Sequence, residues 1–305
     1  MPGMYNMITI LGPTATGKTR LAAKLAYLIG GEIISADSRQ VYKGMDIGTG
    51  KDLNDYVVNN KQIPYHLVNI VGPGYEYNLF EFLRDFTKAF NLINNRHNVP
   101  VLCGGTGLYL DAVLRGYQMK DVPENKELRE KLEKLSHKEL IKILNQYGDL
   151  HNTTDITDRN RTIRAIEIRE YEKNNPEKII ELPKTESVNF GIRFDRSIIR
   201  ERITRRLKTR LNEGMVEEVK HLLESGLKPG QLAFYGLEYK YVTQYVTGEI
   251  NYDEMFRLLN TAIHQFAKRQ MTWFRRMEKN GIKIHWVDGE KTDEEKSAFI
   301  INFLK

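Results

Sequence analysis

Eight consecutive residues near the start of the chain have the types and spacing of a phosphate-binding loop. They are Gly12, Pro13, Thr14, Ala15, Thr16, Gly17, Lys18 and Thr19. An apolar run precedes them and an apolar helical pattern follows, which indicates a strand, a loop and a helix. The glycines then let backbone N–H groups turn around anionic oxygens, and the helix adds the positive end of its dipole. Lys18 supplies a mobile cation and the Thr19 hydroxyl can hold Mg²⁺, so we predict a di- or triphosphate site with Mg²⁺ as its cofactor.

Two other segments are predicted to reach the same crevice. The second predicted strand leads into Asp37 and Gln40, and a later strand ends in two glycines followed by Thr106. Because the carboxyl ends of neighbouring strands share one crevice in a doubly wound sheet, these side chains should lie beside the phosphate loop. Asp37 has three interpretations: a turn or cap residue, a Mg²⁺ ligand, or a general base toward an acceptor group. Thr106 either offers its hydroxyl to a ligand or caps the helix that follows it.

Short apolar runs alternate with amphipathic helical patterns, which predicts an α/β fold with a parallel sheet and crossover helices. The apolar runs lie at 6–11, 32–35, 65–70, 99–104 and 188–194, and the helical patterns at 18–29, 79–95, 106–115 and 198–224. From about 117 to 186 the sequence is charged and helical without a strand signal. We therefore expect a core made of 1–116 and 187–305, with a helical insertion domain at 117–186. The C-terminal part is predicted to be helical, with a long helix near 252–279.

The composition excludes several classes of protein. With 305 residues, 41% of them hydrophobic and 28% charged, the chain has the balance of a soluble globular protein. It contains no apolar run of about 18 residues that could span a bilayer, and its first residues lead directly into the first strand. We therefore expect a cytoplasmic monomer without a membrane partner. The one cysteine, Cys103, excludes an internal disulfide and is predicted to be a buried strand residue.

The positive charge is unevenly distributed. The net charge is +6 and the pI about 9.1, but residues 196–210 carry seven Lys or Arg against one acid. The stretch 255–277 carries five Lys or Arg and no acid. A solvated helix face is the ordinary explanation of one such run. Two of them in a chain with a phosphate loop favour a polyanionic partner such as a nucleic acid.

Several segments resemble, in the same order, those of tRNA dimethylallyltransferases, and they extend over nearly the whole chain. They read GPTATGKT, ISADSRQVYKGMDIGTGK, PYHL, VLCGGTGLYL, DRNRTIRAIEI, RERITRRL, GMVEEV and HQFAKRQMTWFR. The resemblance implies a P-loop NTPase-like core. It also implies that the dimethylallyl group of dimethylallyl diphosphate is transferred to N6 of the tRNA adenosine just 3′ of the anticodon, with release of diphosphate. The anticodon stem-loop would then be the polyanionic partner.

The resemblance implies that the phosphate loop holds the diphosphate of the donor. Lys18, Mg²⁺ on Thr19 and the N–H groups of the loop are then expected to offset its developing negative charge. Arg202 and Arg206 stand four residues apart and share a helix face, which suits joint contact with the diphosphate. Thr14 and Thr106 resemble residues next to the allylic diphosphate, with Thr106 near its bridging oxygen.

A second group of residues is implied to serve the acceptor. Asp37 resembles the general base that accepts a proton from N6 as the C–N bond forms. Ser38, Arg39 and Gln40 resemble the stretch that holds the adenine once it is flipped out of its stack. Flipping is required because a stacked base cannot present N6 to a buried carbon.

The long C-terminal helix is predicted to pack with one side and to face RNA phosphates with the other. The packing side consists of Ile263, Phe266, Gln270, Trp273 and Phe274. On this basis Trp273 is expected in the core rather than stacked on a base. The outer side presents Lys268, Arg269 and Arg275.

The insertion contains a second stretch that resembles an RNA-contacting part of the family. It consists of Asn160, Arg161 and Arg164. Arg164 could equally pair with Glu167 or Glu170 on its own helix. The sequence departs from the family pattern at three places: Asn160-Arg161 where Gln-Arg is common, Gly-Thr-Gly-Lys at 48–51 where Gly-Thr-Ala-Lys is more usual, and the segment 234–240 where Gly-Tyr-Lys is common.

Three other functions remain open from the sequence. An adenylate isopentenyltransferase would use a free nucleotide in a similar crevice, without need of the basic helix. A P-loop small-molecule kinase would need ATP and an arginine-bearing lid. A non-catalytic RNA-binding module with a nucleotide switch would not need Asp37 or Thr106.

Overall fold

A six-stranded parallel sheet forms the core of the chain. The computed structural model describes residues 5–148, 156–175 and 181–305. The strands in chain order are β1 (Met7–Leu11), β2 (Gly31–Ala36), β3 (Val57–Val58), β4 (Lys61–Gln62), β5 (Tyr65–His66), β6 (Val99–Gly104), β7 (Ser187–Arg193) and β8 (Ile284–Asp288). The sheet has the order β5-β2-β6-β1-β7-β8, whereas β3 and β4 form a separate antiparallel hairpin. The prediction of an α/β fold with a parallel sheet is confirmed.

The central strands are buried on both faces, as parallel strands covered by helices must be. Every residue of β1 and β2 is buried, and Ile8 and Ile33 have no exposed surface. β1 lies between β6 and β7, so that Ile10 pairs with Cys103 on one side and with Phe190 on the other. Cys103 is therefore the buried strand residue that the sequence predicts. Burial raises the pKa of its thiol to about 12, which keeps the thiol neutral and unreactive.

Helices cover the sheet and make up most of the remaining chain. In chain order they are α1 (Lys18–Ile29), α2 (Leu79–Asn95), α3 (Gly107–Leu114), α4 (Lys126–Leu132), α5 (His137–Asn145), α6 (Arg159–Asn174), α7 (Arg196–Asn212), α8 (Met215–Glu224), α9 (Pro229–Leu232), α10 (Leu237–Val246), α11 (Tyr252–Lys279) and α12 (Asp293–Leu304). α1 is bounded by Gly17 and Gly30, both in the left-handed region, where a side chain would strain the backbone. Within the described ranges, no helix is both long enough and apolar enough to cross a bilayer.

Two sequence-based boundaries are wrong. The helical pattern at 198–224 is two helices, because Gly214, with a φ of 102°, separates α7 from α8. The apolar run at 65–70 contributes only Tyr65–His66 to the sheet. Leu67 and Asn69 follow with φ of 63° and 57°, which ends regular strand geometry. Hydrophobicity does not reveal such left-handed residues.

The chain divides into two compact units. One unit consists of Met1–Tyr117 and Leu182–Lys305, and the other consists of Gln118–Glu181. The sequence composition predicts the helical insertion at 117–186. The smaller unit contains α4, α5 and α6, packed around Leu140 and Ile166. Burial by itself would raise the pKa of Glu167 in this unit. Hydrogen bonds from Arg129, Arg164 and the amide of Asn125 outweigh burial and hold that pKa below its ordinary value.

Close contact between the ends of β2 and β6 determines the positions of the segments that follow them. A Cβ atom on Gly104 would lie 2.2 Å from the carbonyl oxygen of Ala36 and 2.5 Å from its carbonyl carbon. The Thr106 amide donates to the same carbonyl at 3.2 Å. The chain therefore leaves both strands at nearly the same point, which brings Asp37 close to Thr106.

Gly104→Ala is expected to destabilise the protein by about 1–3 kcal/mol, because the added methyl must displace backbone rather than a flexible side chain. The free energy of unfolding in urea measures this. Gly230→Ala is the matched control, since a Cβ atom there has no neighbour within 4 Å and the residue is helical. The control should be neutral or slightly stabilising. Equal stability of the two variants would contradict the close contact between the strands.

Candidate active site

A cavity of about 760 Å³ opens at the carboxyl end of the sheet. The phosphate loop, the segments after β2 and β6, α7 and α11 all line it. Asp37, Gln40 and Thr106 lie there beside Thr14 and Lys18, as expected from the ends of adjacent parallel strands. The structure thus brings the residues predicted from separate segments into one site.

The phosphate loop has the backbone conformation of an anion-binding nest. Ala15 and Gly17 both have positive φ, 64° and 77°, which turns successive N–H groups toward one side. The Thr16 hydroxyl donates to the carbonyl of Pro13 at 2.9 Å and closes the loop. A Cβ atom on Gly12 would lie 2.9 Å from that hydroxyl and 3.2 Å from a backbone oxygen of β7, so the loop packs tightly on the sheet.

Lys18 places its ammonium group in confined space beneath the loop. The group donates to the Pro13 carbonyl at 3.4 Å. Burial lowers the pKa of Lys18, while the negative charge of Asp37 acts in the opposite direction. The cation is therefore only partly compensated by protein groups, which favours an anion in the cavity.

Thr106 joins the two strand ends through its hydroxyl. It occupies the N-cap position of α3 but makes no side-chain capping bond, so the interpretation as a simple cap is wrong. Its Oγ1 instead accepts a hydrogen bond from the Ser38 amide at 3.0 Å. The Asp37 carboxylate accepts a hydrogen bond from the Arg39 amide at 2.9 Å. This contact agrees with the interpretation of Asp37 as a turn residue. Asp37 also lines the cavity, so its other two interpretations, metal ligand and general base, stay open on geometry.

The two predicted diphosphate arginines have different neighbours. Arg202 Nε donates to the carbonyl of Ala15 at 2.9 Å, within the phosphate loop, and its guanidinium lies 4.5 Å from the ring centre of Phe194. Arg206 pairs with Asp52 at 2.5 Å and reaches the carbonyl of Gly50 at 3.4 Å. Arg202 is therefore bonded to the phosphate loop itself, whereas Arg206 is bonded to Asp52 and to the loop that contains Gly50.

The carbonyl of Gly50 connects the two predicted halves of the site. Gln40 Nε2 donates to it at 3.2 Å, on the side assigned to the adenine. Arg206, on the side assigned to the diphosphate, is the second donor. The loop that contains Gly50 is fixed by Glu218 of α8, whose carboxylate accepts from the amides of Asp46, Ile47 and Gly48 at 2.7–2.9 Å.

Gln270 of α11 is a site residue that the sequence places only on a packing face. Its Oε1 accepts from the Thr14 amide at 2.9 Å, and its Nε2 donates to the carbonyl of Gly105 at 2.8 Å. This buried amide thereby ties the phosphate loop to the loop after β6. A glutamine among apolar residues on a packing face is the one sequence signal that could have indicated this role.

The helix α11 only partly follows the predicted division into two faces. Phe274 is fully buried as expected, but Phe266 is 38% exposed and lines the cavity. Trp273 also lines the cavity, although its ring covers Gly107, where a Cβ atom would lie 2.3 Å from it. Lys268, Arg269 and Arg275 are all exposed. Arg269 in addition lines the cavity.

In the smaller unit, Asn160 and Arg161 are exposed in the first turn of α6. Arg164 forms the ion pair with Glu167, at 2.5 Å, and donates to the carbonyl of Val122 at 2.7 Å. Of the two interpretations of Arg164, the structure supports the pairing. Contact of these three residues with RNA stays a prediction.

Comparison with protein families identifies the family of the chain. The family model described as IPP transferase matches residues 40–277, and a model described as isopentenyl transferase matches residues 5–66. The chain belongs to the IPP transferase family. The resemblance found in the sequence segments is thereby confirmed.

Relatives match over nearly the full length of the chain. It is 57% identical over 301 residues to tRNA dimethylallyltransferase 2 of Bacteroides fragilis, which covers 99% of this chain and 98% of the relative. It is 56% identical over 300 residues to the protein of that name from Phocaeicola vulgatus, with 98% of both chains covered.

Solved structures agree in fold. The tRNA isopentenylpyrophosphate transferase of Bacillus halodurans matches with a TM-score of 0.71 and 30% identity, over 98% of this chain and 95% of that one. A eukaryotic dimethylallyltransferase acting on tRNA matches with a TM-score of 0.74 and 23% identity, over 98% and 79% of the two chains. The P-loop NTPase-like fold expected for the family is therefore that of this chain.

Proposed function

We propose that this IPP transferase family member transfers the dimethylallyl group of dimethylallyl diphosphate to N6 of the tRNA adenosine just 3′ of the anticodon, releasing diphosphate. One observation carries the proposal. A phosphate loop, a carboxylate and a strongly cationic wall share a single cavity. Among the described residues, eight Lys or Arg and four Asp or Glu line it. This excess suits a diphosphate together with an RNA strand.

The donor side is built to stabilise the leaving group. As the bond between the allylic carbon and the bridging oxygen breaks, its electron pair goes to the diphosphate, which gains negative charge. The N–H groups at Ala15 and Gly17, the Lys18 ammonium and the Arg202 guanidinium are already in place around the loop. Fixed donors of this kind need little reorganisation during the reaction, which makes them effective catalysts.

The acceptor side of the proposed site contains a carboxylate that can serve as the base. The exocyclic N6 forms its new bond to the allylic carbon and loses one proton, and we assign that proton to the carboxylate of Asp37. The hydrogen bond from the Arg39 amide fixes the orientation of this carboxylate. Gln40 and the Thr106–Ser38 pair form the neighbouring wall, suited to hold a flipped base.

The residues present fit a Mg²⁺ ion bound mainly through the substrate. Among the described residues, no group of three or more His, Cys, Asp or Glu could cage a metal. The Thr19 hydroxyl lines the cavity next to Lys18 and would hold the ion together with diphosphate oxygens and water. Mg²⁺ bound there would offset the charge of the diphosphate.

Two groups of exposed polar and cationic residues are assigned to the RNA backbone. Lys268 and Arg275 lie on α11, the helix whose buried side carries Gln270. Asn160 and Arg161 lie in the first turn of α6 in the smaller unit. A free adenylate needs neither group, and a kinase needs no such helix, so these exposed residues favour tRNA as the acceptor over both alternatives.

The proposal predicts the product directly. Incubation with an anticodon stem-loop and dimethylallyl diphosphate should give an adenosine heavier by one dimethylallyl group in nucleoside mass spectrometry. ATP in place of the donor should give no modified nucleoside and no ADP. Modification of AMP but not of the stem-loop would support the adenylate enzyme instead, and ATP turnover would support the kinase.

Asp37→Asn should lower turnover by about 10²-fold or more, because the amide keeps the shape but cannot accept the proton. Stem-loop affinity, measured by filter binding, should stay within a few-fold of the parent. Asp195→Asn, which changes an exposed acid outside the cavity, is the matched control and should react normally. An affinity reduced as much as the rate would mean that Asp37 organises the site rather than acting as the base.

The double variant Lys268→Gln with Arg275→Gln should bind tRNA more weakly and with a flatter salt dependence. We expect the slope of log K against log salt to fall by about 0.7 to 0.9 for each phosphate that the variant no longer neutralises. The control, Lys88→Gln with Lys184→Gln, removes the same charge from two other exposed positions and should keep the slope. An unchanged slope with lowered thermal stability would assign this face of α11 to packing.

A further inference from the structure

Arg210 is a third arginine on the face of α7 that carries Arg202 and Arg206. The three residues are spaced by four, so they follow one another along a single side of the helix. Arg210 is only 8% exposed, and it lines the cavity. It also lines a recess of about 10 Å³, room for about one water molecule, that adjoins Thr14 and Ala15 of the phosphate loop.

Gly50 provides the space that the Arg210 guanidinium occupies. A Cβ atom on Gly50 would lie 1.6 Å from Arg210 Nη2, 2.5 Å from its Cζ and 2.9 Å from Arg206 Nη2. Two guanidinium groups therefore pack on one backbone residue that has no side chain. The loop cannot easily move away, because Glu218 fixes the amides of 46–48.

The charge of Arg210 is incompletely compensated by the protein. Its Nη2 is buried and has no hydrogen-bond partner within the described part of the chain. Its Nη1 lies 3.9 Å from the Glu238 carboxylate, too far for a hydrogen bond. Burial, with Arg206 close by, lowers the pKa of Arg210 to about 10, and Glu238 opposes this. A buried cation with an unmet donor is costly unless a ligand supplies negative charge.

We propose that Arg210, admitted by Gly50 and held by Glu238, is a third guanidinium of the diphosphate site. This inference rests on the proposed function. The diphosphate, rather than an RNA phosphate, is the ligand because Arg210 is only 8% exposed and lies beside Thr14 and Ala15 of the phosphate loop. The positive charge of Arg210, like that of Arg206, also acts to lower the pKa of Lys18. Asp52 and Glu238 are the counter-charges of Arg206 and Arg210.

Binding of inorganic diphosphate with Mg²⁺, measured by calorimetry, tests the proposal. Arg210→Met keeps much of the side-chain volume without the charge and should weaken diphosphate binding by about tenfold. Arg210→Lys keeps the charge and should be weakened clearly less. Arg205→Met, at a position 65% exposed on the same helix and paired with Glu201, is the control and should bind as the parent does. Unchanged affinity of Arg210→Met would overturn the proposal, and so would equal weakening in the Met and Lys variants, since packing would then be the cause.

The role of Gly50 is tested by a double-mutant cycle. Gly50→Ala should also weaken diphosphate binding, because its methyl group displaces the guanidinium. Combining it with Arg210→Met should weaken binding little further. Additive effects would refute the coupling of the two residues.

Failure of the proposed function has a different result. If the parent chain binds diphosphate but prenylates AMP instead of tRNA, the acceptor is wrong, while the effect of Arg210 on diphosphate binding is still expected. If the parent chain modifies tRNA but Arg210→Met binds diphosphate normally, only the inference about Arg210 is wrong.

Discussion

Burial of several cations at the end of the sheet is the constraint on which this site depends. Burial lowers the pKa of Lys18, Arg202 and Arg210, so their charges are held at a cost in free energy. Backbone carbonyls of the phosphate loop and the carboxylates of Asp52 and Glu238 offset part of it. The remaining positive charge favours ligands that carry several negative charges.

The rest of the site is arranged by the parallel sheet. Its strands all end on one side, and the contact of Gly104 with the Ala36 carbonyl leaves little freedom between β2 and β6. The hydroxyl of Thr106 then connects the two loops through the Ser38 amide. In the same loop, the Asp37 carboxylate is oriented by a hydrogen bond from the Arg39 amide. Precision of this kind is what general-base catalysis requires.

Local signals in the sequence are sufficient for the phosphate loop, the α/β class and the gathering of Asp37, Gln40 and Thr106, because strand ends in a parallel sheet are adjacent by topology. Contacts between distant segments are not predictable in this way. The contact of Gly50 with Arg210 joins residues 160 positions apart, and no periodicity records it. Helical geometry gives the angle of a residue but not what lies opposite, which is why the sequence predicts a packing role for Phe266 although it lines the cavity.

The helix α11 carries both the residue that connects two loops of the site and a residue that is proposed to bind RNA. Its buried Gln270 bonds both the phosphate loop and the loop after β6, while Lys268, two residues earlier, is exposed on the proposed RNA face. The helix is continuous from Tyr252 to Lys279, so these two sets of contacts share one rigid element. In the proposed function, an RNA backbone on the outer side of this helix would therefore lie at a distance from these loops that one continuous helix determines.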